Sequence, residues 1–307
     1  MADGGVRVAA VVVTYQPRQD ALTALLTAVA PQVAAVVVVD NGSSAPWLEE
    51  RVTTHGGALL RLGANLGIAA AQNRGCDAVR AVGATHVLLL DQDSVPAPDM
   101  VQVLVAATAA AHARGDGRVA AVGATGRDDR DGEPPFVYAA RRWGPRRIDL
   151  PDVPGTLVEV GFLIASGTLV DVAALDAVGP MDEGMFIDHV DLEWGVRARR
   201  AGWHLYAVVG AELRHELGET PRAVPGRSRT VHVQSVVRNY YMTRNTIRLV
   251  RTRNLMPAAW RWGYLWWITK YVVYYTLAVA PRRVRVPLML RGLRDGVLGR
   301  SGPLPGR

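Results

Sequence analysis

Residues 86–94, HVLLLDQDS, join an apolar run to two carboxylates that stand two positions apart. A short Val/Leu-rich run bounded by polar residues is typical of a buried strand, so His86–Leu90 is predicted to be one. Carboxylates at Asp91 and Asp93, just past that strand, form a hard oxygen site that suits Mn²⁺ or Mg²⁺ bridging a diphosphate. An isolated Asp-x-Asp is more often a polar turn, and its position after the strand is what favours a metal site here.

The same arrangement recurs upstream. Apolar runs at Val8–Val13, Val36–Val39 and Leu59–Leu62 alternate with helical patterns at Asp20–Ala30 and Ile68–Ala81. Continuous apolar strands that alternate with helices predict an α/β fold whose mostly parallel sheet is covered on both faces. Ligands of such sheets bind at the carboxyl ends of the strands, so the polar residues after three of these strands are predicted to share one crevice.

The other strand ends also carry polar side chains. Thr14 and Tyr15 follow the first strand, and Asp40-Asn41-Gly42-Ser43 follows the second. A carboxylate at Asp40 can accept from the imide N–H of uracil or thymine, although Asp-Asn-Gly also suits an ordinary turn. Asn65-Leu66-Gly67, with Asn73 beyond it, opens the next helix, and a helix N-terminus favours phosphate.

A third polar cluster, DEGMFIDHVDLEW, occupies residues 182–194 and leads into a helix predicted at Val190–Arg200. Asp188 and Asp191 are three positions apart and would share a helix face. A carboxylate in the crevice can deprotonate an acceptor hydroxyl, whereas the alternative is that these acids stabilise the helix N-terminus. His215 follows a strand-like run and could complete the metal site or contact the diphosphate, although a lone histidine is more often structural.

The charge distribution divides the chain. From Arg238 to the C-terminus there are 14 Lys and Arg and one acid, a net +13, whereas the remainder is −6. This asymmetry predicts an acidic catalytic domain (1–237, with its nucleotide-binding half to about residue 125) and a basic extension (238–307) that meets an anionic surface, with a merely solvated basic face as the alternative. Within the catalytic domain, Asp128–Pro154 is predicted to be a loop or flap and Val158–Ile164 a strand.

The extension contains an 18-residue apolar run, Gly263–Ala280, interrupted by Lys270. This barely reaches the length of a membrane span, and a central lysine costs about 2.5–3.5 kcal/mol on insertion. Its scattered aromatics predict an amphipathic helix lying at the membrane surface, with packing on the protein body or a true span as alternatives. Nucleic-acid binding is disfavoured because these aromatics lie in apolar runs and not between charges.

Two further features bear on the compartment. The first apolar run is too short for a secretory signal. The single cysteine, Cys76, excludes an internal disulfide and a thiolate-based zinc site, which fits a reducing, cytoplasmic environment.

The order of these segments resembles family 2 glycosyltransferases. The motifs that carry the resemblance are VVVTY at 11–15, VDNGS at 39–43, NLG at 65–67 with NRG at 73–75, LDQDS at 90–94 and the cluster at 182–192. The DQDS form, together with YYMTRN at 240–245, resembles the bacterial rhamnosyltransferase subgroup. The resemblance covers roughly residues 6–255.

This resemblance implies a GT-A fold, single displacement with inversion, and a divalent metal, Mn²⁺ or Mg²⁺. The nucleotide sugar would be bound by the strand-end and helix-start residues Thr14, Tyr15, Asp40, Asn41, Gly67, Asn73, Asp91 and Gln92. The metal would be held by Asp93, Asp91 and His215. Acceptor or phosphate contacts would come from Trp194, Arg238, Tyr241 and Arg244.

The catalytic base is where the chain departs from its relatives. Many relatives have Glu-Asp where this chain has Asp188-His189, so Asp191 is the expected base and Asp188 its competitor. The expected reaction moves a sugar, foremost L-rhamnose from dTDP-L-rhamnose, to a lipid-linked or cell-surface polysaccharide at the inner face of the cell membrane. The alternatives are a UDP-hexose or UDP-galactofuranose donor, or a non-catalytic nucleotide-sugar-binding scaffold, which the missing second acid would favour.

Overall fold

The computed structural model describes residues 5–127, 137–215, 220–222 and 231–305. Within these ranges a nine-stranded mixed sheet forms the centre of the molecule. Part of the predicted loop or flap, residues 128–136, lies outside the described residues.

The first four strands are parallel, as predicted. They and the intervening helices are β1 (Val8–Thr14), α1 (Gln19–Val29), β2 (Ala35–Asp40), α2 (Leu48–Thr54), β3 (Ala58–Arg61), α3 (Ile68–Ala81) and β4 (His86–Asp91). Their order across the sheet is β3-β2-β1-β4. Alternate residues of β1 enter opposite cores: Val12 packs on the side of Leu22 in α1, and Val11 on the side of Ala71 in α3. The predicted coverage of both sheet faces is confirmed.

The downstream strands make the sheet mixed. They and their helices are β5 (Ser94–Pro96), α4 (Met100–Ala113), β6 (Arg118–Arg127), β7 (Tyr138–Arg141), β8 (Gly144–Arg147), β9 (Leu157–Glu159), β10 (Thr168–Asp171), α5 (Val172–Val178), α6 (Val190–Arg200) and β11 (Trp203–His215). Strand β10 lies antiparallel between β4 and β6, and β11 pairs with β6 in parallel. Strands β5 and β9 both pair antiparallel with β11.

Two expectations for this half are corrected. The loop predicted up to Pro154 contains an antiparallel hairpin, in which β7 pairs with β8. The strand predicted over Val158–Ile164 ends at Glu159, because the chain leaves β11 for that hairpin. The turning point is Gly161, whose N–H donates to the carbonyl of Tyr138 over 2.8 Å. The hairpin is thereby attached to the edge of the main sheet.

The C-terminal part is helical and packs on the sheet domain. It comprises the short strands β12 (Thr220–Arg222) and β13 (Val231–Val233), followed by α7 (Val236–Arg251), α8 (Ala258–Ala278) and α9 (Arg282–Val297). Helices α7 and α9 approach closely, since a Cβ on Gly296 would lie 2.7 Å from the Arg244 carbonyl oxygen. The inner side of α8, which contains most of the apolar run, packs on the protein body. This is one of the alternatives considered for that run.

Helix α8 has two different sides. Trp260, Ile268 and Tyr275 are buried, and the Trp260 indole N–H donates to the Arg141 carbonyl over 2.8 Å. The opposite side exposes an apolar row that recurs at helical spacing: Trp262, Trp266, Val273 and Leu277. No helix in the described part of the chain has the length and hydropathy that a membrane crossing requires.

Candidate active site

The three polar strand ends meet at one edge of the sheet. Thr14 is the register partner of Asp40 across β1 and β2, and Val13 is the partner of Asp91 across β1 and β4. The Thr14 side chain is fully buried and its hydroxyl donates to the Val39 carbonyl over 3.4 Å. The crevice predicted from the sequence is thus present, with Thr14 forming part of its base.

Asp40 is held rigidly at this edge. Its side chain is buried; one oxygen accepts from the Ser43 N–H over 2.9 Å and the other from Arg61 over 3.4 Å. The first contact closes a turn of the kind that Asp-Asn-Gly favours. A carboxylate fixed in this way can present its remaining lone pairs in one direction. Its contact with a nucleobase stays a prediction.

Tyr15 and Gln92 link the ends of β1 and β4. The Tyr15 backbone N–H donates to the Gln92 side-chain oxygen over 2.8 Å. The Tyr15 side chain is 48% exposed, so its ring borders the crevice without filling the core. This places both residues where a donor nucleotide was expected.

Asn41 shapes the entry to α3. Its side-chain oxygen accepts from the Leu66 N–H over 2.8 Å, and its amide donates to Asn65 over 3.1 Å. Gly67 then adopts φ +91°, and a Cβ there would lie 2.6 Å from the Phe186 carbonyl oxygen. That oxygen accepts from the Ile68 N–H over 2.7 Å, so one of the N–H groups expected to face phosphate is used within the protein.

Asn73 connects α3 to the third polar cluster. Its amide donates to the Met181 carbonyl and to Glu183, each over 3.0 Å, and its oxygen accepts from the Met181 N–H over 2.9 Å. Both ends of the side chain are therefore used in positioning residues 181–183. This geometry favours a positioning role over the predicted contact with the donor.

The predicted metal ligands converge by their backbone. Asp93 lies in the turn between β4 and β5, and the next residue, Ser94, is the register partner of His215 in β11. The His215 side chain lies outside the described part of the chain. Among the side chains that are described, no three His, Cys, Asp or Glu residues are grouped closely enough to hold a metal ion. Two carboxylates with a histidine nearby still fit Mn²⁺ or Mg²⁺ when diphosphate and water supply the other ligands.

The loop before α6 has an unusual backbone. Phe186, Asp188 and His189 all have positive φ angles, of 65°, 66° and 63°. Residues with side chains rarely adopt this conformation, which costs of order 1–3 kcal/mol each unless neighbours fix it. Local preferences therefore do not explain this loop, and tertiary contacts must hold it.

Helix α7 supplies those contacts. The buried Asn245 amide donates to three carbonyl oxygens of the loop, those of Met185, Ile187 and Asp188, over 2.9, 2.8 and 2.9 Å. Arg244 is also fully buried and donates to the carbonyls of Gly184 and Met185 over 3.1 and 2.8 Å. These contacts favour a loop-positioning role for Arg244 over the predicted contact with acceptor phosphate.

Three other predicted acceptor residues are placed around the same loop. The Arg238 guanidinium donates to an Asp188 oxygen over 3.0 Å. Tyr241 is buried, with its ring stacked on Phe186 at 4.9 Å between centroids. Trp194 is buried in α6 and its indole donates to the Gly179 carbonyl over 3.0 Å. Burial leaves Tyr241 and Trp194 little surface for an acceptor, whereas Arg238 is partly exposed.

Asp188 and Asp191 have different surroundings. One Asp188 oxygen is paired with Arg238, and the other is buried without a hydrogen-bond partner in the described structure. Asp191, in the first turn of α6, instead lines a cavity of about 230 Å³. The structure therefore gives Asp191, and not Asp188, access to a bound molecule.

Two elements form the walls of this cavity. The hairpin of β7 and β8 contributes Trp143 and Arg146, and α8 contributes Tyr264, Trp267 and Lys270. His189 lies between them and makes edge-to-face contacts with Tyr264 and Trp267. Burial lowers the pKa of His189 to about 4, so its ring is neutral at physiological pH. The Thr246 hydroxyl uses its only proton to donate to the Met242 carbonyl. Its oxygen can therefore only accept from His189, so the His189 Nε2 carries the proton and donates to Thr246.

The sequence prediction missed these wall residues. Hairpin and helix are far apart along the chain, and neither carries a recognisable motif. One signal was present: Lys270 is the only lysine among 35 basic residues, and it interrupts an apolar run.

The surroundings of Asp191 tune its acidity. Burial raises its pKa to about 6, against the hydrogen bond from the Leu192 N–H, and the carboxylates of Asp188 and Asp91 add to the increase. A carboxylate with this pKa is ionised at pH 7 and is basic enough to take a proton from a hydroxyl during reaction.

We therefore expect kcat/KM to rise with pH and level off above about pH 6, because only ionised Asp191 accepts a proton. Because the pKa of Asp191 is higher in the folded chain than its ordinary value of 3.8, protonation of this carboxyl stabilises the folded state. That stabilisation is fully present below pH 3.8 and is lost as the pH rises through about 6. A pH–rate profile of the enzyme checks this. In Asp188→Asn the acid limb should move to lower pH, and a flat profile from about pH 5 to 8 would contradict the assignment.

Comparisons with known proteins found a matching family model, a relative and similar folds. The family model described as "Glycosyltransferase like family 2" matches residues 6–241. The "dTDP-rhamnosyl transferase RfbF" of Shigella flexneri is 29% identical over 297 residues, which are 95% of this chain and 96% of that protein.

Two solved structures share the fold. A fragment of S. aureus TarS in complex with UDP-GlcNAc has a TM-score of 0.60 at 15% identity, covering 96% of this chain and 82% of that one. GalNAc-T7 with UDP, GalNAc and Mn²⁺ has a TM-score of 0.58 at 12% identity, and the match covers 91% of this chain but 59% of GalNAc-T7.

Proposed function

Because the chain belongs to glycosyltransferase family 2, we propose that it transfers L-rhamnose from dTDP-L-rhamnose to a lipid-linked or cell-surface polysaccharide acceptor. Its fold is the GT-A fold that the motifs implied. The observation that carries the proposal is Asp191, a carboxylate with a raised pKa in a cavity near Asp91. The relative named as a dTDP-rhamnosyl transferase, which this chain matches over nearly its full length, supports this choice of donor.

The proposed reaction is a single displacement. Asp191 accepts the proton of an acceptor hydroxyl as that oxygen forms a bond to the anomeric carbon of the sugar. The bond from that carbon to the diphosphate breaks, and dTDP leaves with the electron pair. Attack opposite the leaving group inverts the anomeric centre. The neutral ring of His189, beside Asp191, adds no positive charge that would lower the basicity of the carboxylate.

A divalent cation fits this scheme. Asp91 and Asp93, with His215 on the neighbouring strand, would hold Mn²⁺ or Mg²⁺, which as a Lewis acid would stabilise the charge of the departing diphosphate. GalNAc-T7, whose structure contains Mn²⁺ with UDP, supports this assignment.

Asp191 is preferred to Asp188 as the base for two reasons. Asp188 is buried and ion-paired to Arg238, so a proton on it would break that pair. Its backbone also lies within the strained loop, whose position depends on Asn245. Asp188 is better suited to orient the loop and to raise the pKa of Asp191 through its charge.

Donor calorimetry tests the proposal. In the presence of Mn²⁺, the protein is expected to bind dTDP-L-rhamnose at least about tenfold more tightly than UDP-GlcNAc or UDP-galactofuranose, a difference of about 1.4 kcal/mol. Asp93→Asn should remove the dependence on Mn²⁺. Asp99→Asn, which removes an exposed carboxylate on the other side of β5, should not. Preference for a UDP-sugar would overturn the donor, and binding of none by folded protein would favour the non-catalytic scaffold.

The exposed side of α8 supports a location at the inner face of the cell membrane. Trp262 and Leu277 are 67% and 68% exposed on that side, and Arg282 and Arg283 follow the helix with exposed side chains. Apolar residues beside cations bind anionic bilayers more strongly than either signal alone.

We expect the double variant Trp262→Ser/Leu277→Ser to bind phosphatidylglycerol-containing vesicles at least about tenfold more weakly than the wild type. The reason is that it lacks the apolar area that these two side chains would bury in the bilayer. Vesicle flotation measures this. Val153→Ser is the matched control, since Val153 is 60% exposed but lies outside α8. Equal flotation of the double variant and the wild type would refute membrane contact through α8.

A further inference from the structure

The cavity beside Asp191 has a chemical character that the proposed reaction does not explain. Of the described residues that line it, Asp191 is the only acid, whereas Arg146 and Lys270 are both cationic. General-base catalysis needs no cation at this position. Two cations in the wall suggest that the molecule entering the cavity carries negative charge.

Lys270 is the more informative of the two. The chain uses arginine at 34 of its 35 basic positions, and the only lysine lies in this wall. Its ammonium lies 5.7 Å from the centroid of the ring of Trp266, another residue that lines the cavity. An ammonium is a compact charge with rotatable donors, which suits a phosphate that approaches from a variable direction.

The rest of the wall is aromatic. Trp143 and Trp267 are 49% and 36% exposed, so part of each side chain is accessible, although the Arg142 guanidinium lies 5.3 Å from the centroid of the Trp143 ring. Tyr264 makes edge-to-face contacts with both Trp267 and His189. Flat rings with few polar groups form a platform for the apolar face of a ring-shaped ligand, while the few polar groups fix its orientation. The cavity thus combines a surface for a sugar, a base for its hydroxyl and a cation for an attached anion.

Helix α8 also carries the exposed apolar row. Trp266 belongs to both features, because it lines the cavity and is 62% exposed. An anion held by Lys270 therefore lies next to the surface at which Trp262 and Leu277 would meet lipid.

We propose that this cavity binds an acceptor sugar joined through phosphate to a lipid, with Lys270 binding the phosphate and with Trp143 and Trp267 packing on the sugar. The inference rests on the proposed function and names the class of acceptor. The donor diphosphate belongs to a different place, the strand edge at Asp91 and Asp93. Substitution of Lys270 is therefore expected to spare donor binding.

The single lysine permits a direct measurement. Reductive methylation with ¹³C-formaldehyde keeps the charge and labels only Lys270 and the N-terminal amine. Farnesyl diphosphate is expected to shift the Lys270 methyl resonance and leave the N-terminal one unchanged, and farnesol is expected to shift neither. A farnesyl diphosphate titration that leaves the Lys270 resonance in place would overturn the proposal.

Affinity measurements complete the test. By tryptophan fluorescence, Lys270→Gln should bind farnesyl diphosphate at least about tenfold more weakly than the wild type, and Lys270→Arg should stay within about threefold. Arg253→Gln is the matched control, because Arg253 is exposed and does not line the cavity. Wild-type affinity in Lys270→Gln would overturn the assignment of Lys270 to the phosphate. Inorganic pyrophosphate binding as tightly as farnesyl diphosphate would overturn the proposal that the ligand carries a lipid.

The two proposals fail in different ways. Donor affinity should be the same in wild type, Lys270→Gln and Arg253→Gln. If the wild type binds no nucleotide sugar, the proposed function fails, even if farnesyl diphosphate still shifts the Lys270 resonance. If the donor binds normally and Lys270→Gln has no effect on the farnesyl diphosphate titration, only the acceptor assignment fails.

Discussion

Replacing Asp191 with asparagine is expected to lower kcat by about 10³-fold, because an amide of the same shape cannot accept the proton of the acceptor hydroxyl. Affinity for the nucleotide sugar should stay within about twofold, since Asp191 lines the cavity between α8 and the hairpin, whereas the residues proposed to hold the donor lie at the strand edge. Transfer of radiolabelled sugar to a lipid extract, with calorimetry of the donor in parallel, measures the two effects separately.

Two variants make this result specific. Asp77→Asn removes a largely exposed carboxylate from α3 and should leave kcat unchanged. Asp188→Asn should reduce kcat less than Asp191→Asn, since it releases Arg238 but leaves the base in place. A larger loss in Asp188→Asn than in Asp191→Asn would instead identify Asp188 as the base.

The second large effect is expected at Asn245. Asn245→Asp replaces an amide that donates to three loop carbonyls with a carboxylate that faces them, in a position without solvent exposure. Because each buried polar group left unsatisfied costs about 1–3 kcal/mol, we expect the free energy of unfolding to fall by about 3 kcal/mol or more. Guanidinium denaturation of both proteins measures the loss.

Activity should fall together with stability. The three positive φ angles of the loop depend on these hydrogen bonds, and α6 with Asp191 begins directly after it. Asn254→Asp makes the same chemical change at an exposed residue and should alter stability by less than about 0.5 kcal/mol. A loss of less than about 1 kcal/mol in Asn245→Asp would show that other contacts suffice to hold the loop.

The parallel half of the fold was predictable because its signals are local. The buried strands β1, β2 and β4 each contain an uninterrupted apolar run, whereas β3 is more exposed. For all four strands the predicted boundaries differ from the observed ones by one or two residues at most. Parallel pairing then brings the strand ends to one edge, as the registers of Thr14 with Asp40 and of Val13 with Asp91 show. Hydrophobic periodicity and sheet geometry are sufficient for that conclusion.

The loop before α6 and the walls of the cavity could not be predicted in this way. The conformation of the loop from Phe186 to His189 is imposed by Asn245, more than 50 residues downstream, and no local preference encodes it. Similarly, the sequence shows Lys270 only as a charge that opposes membrane insertion of an apolar run, whereas the structure places it in a cavity that β8 helps to form. Long-range packing decides both features, and a single sequence carries no direct record of it.

The walls of the cavity come from stretches of the chain that contribute nothing to the strand edge at Asp40 and Asp91. Hairpin β7–β8 and helix α8 could therefore be exchanged with those of a relative as two cassettes, while residues 8–96 stay constant. Such chimaeras should keep their nucleotide sugar and adopt the acceptor of the parent that supplied the cassettes. In this architecture, the choice of what is glycosylated and the choice of sugar can diverge independently during evolution.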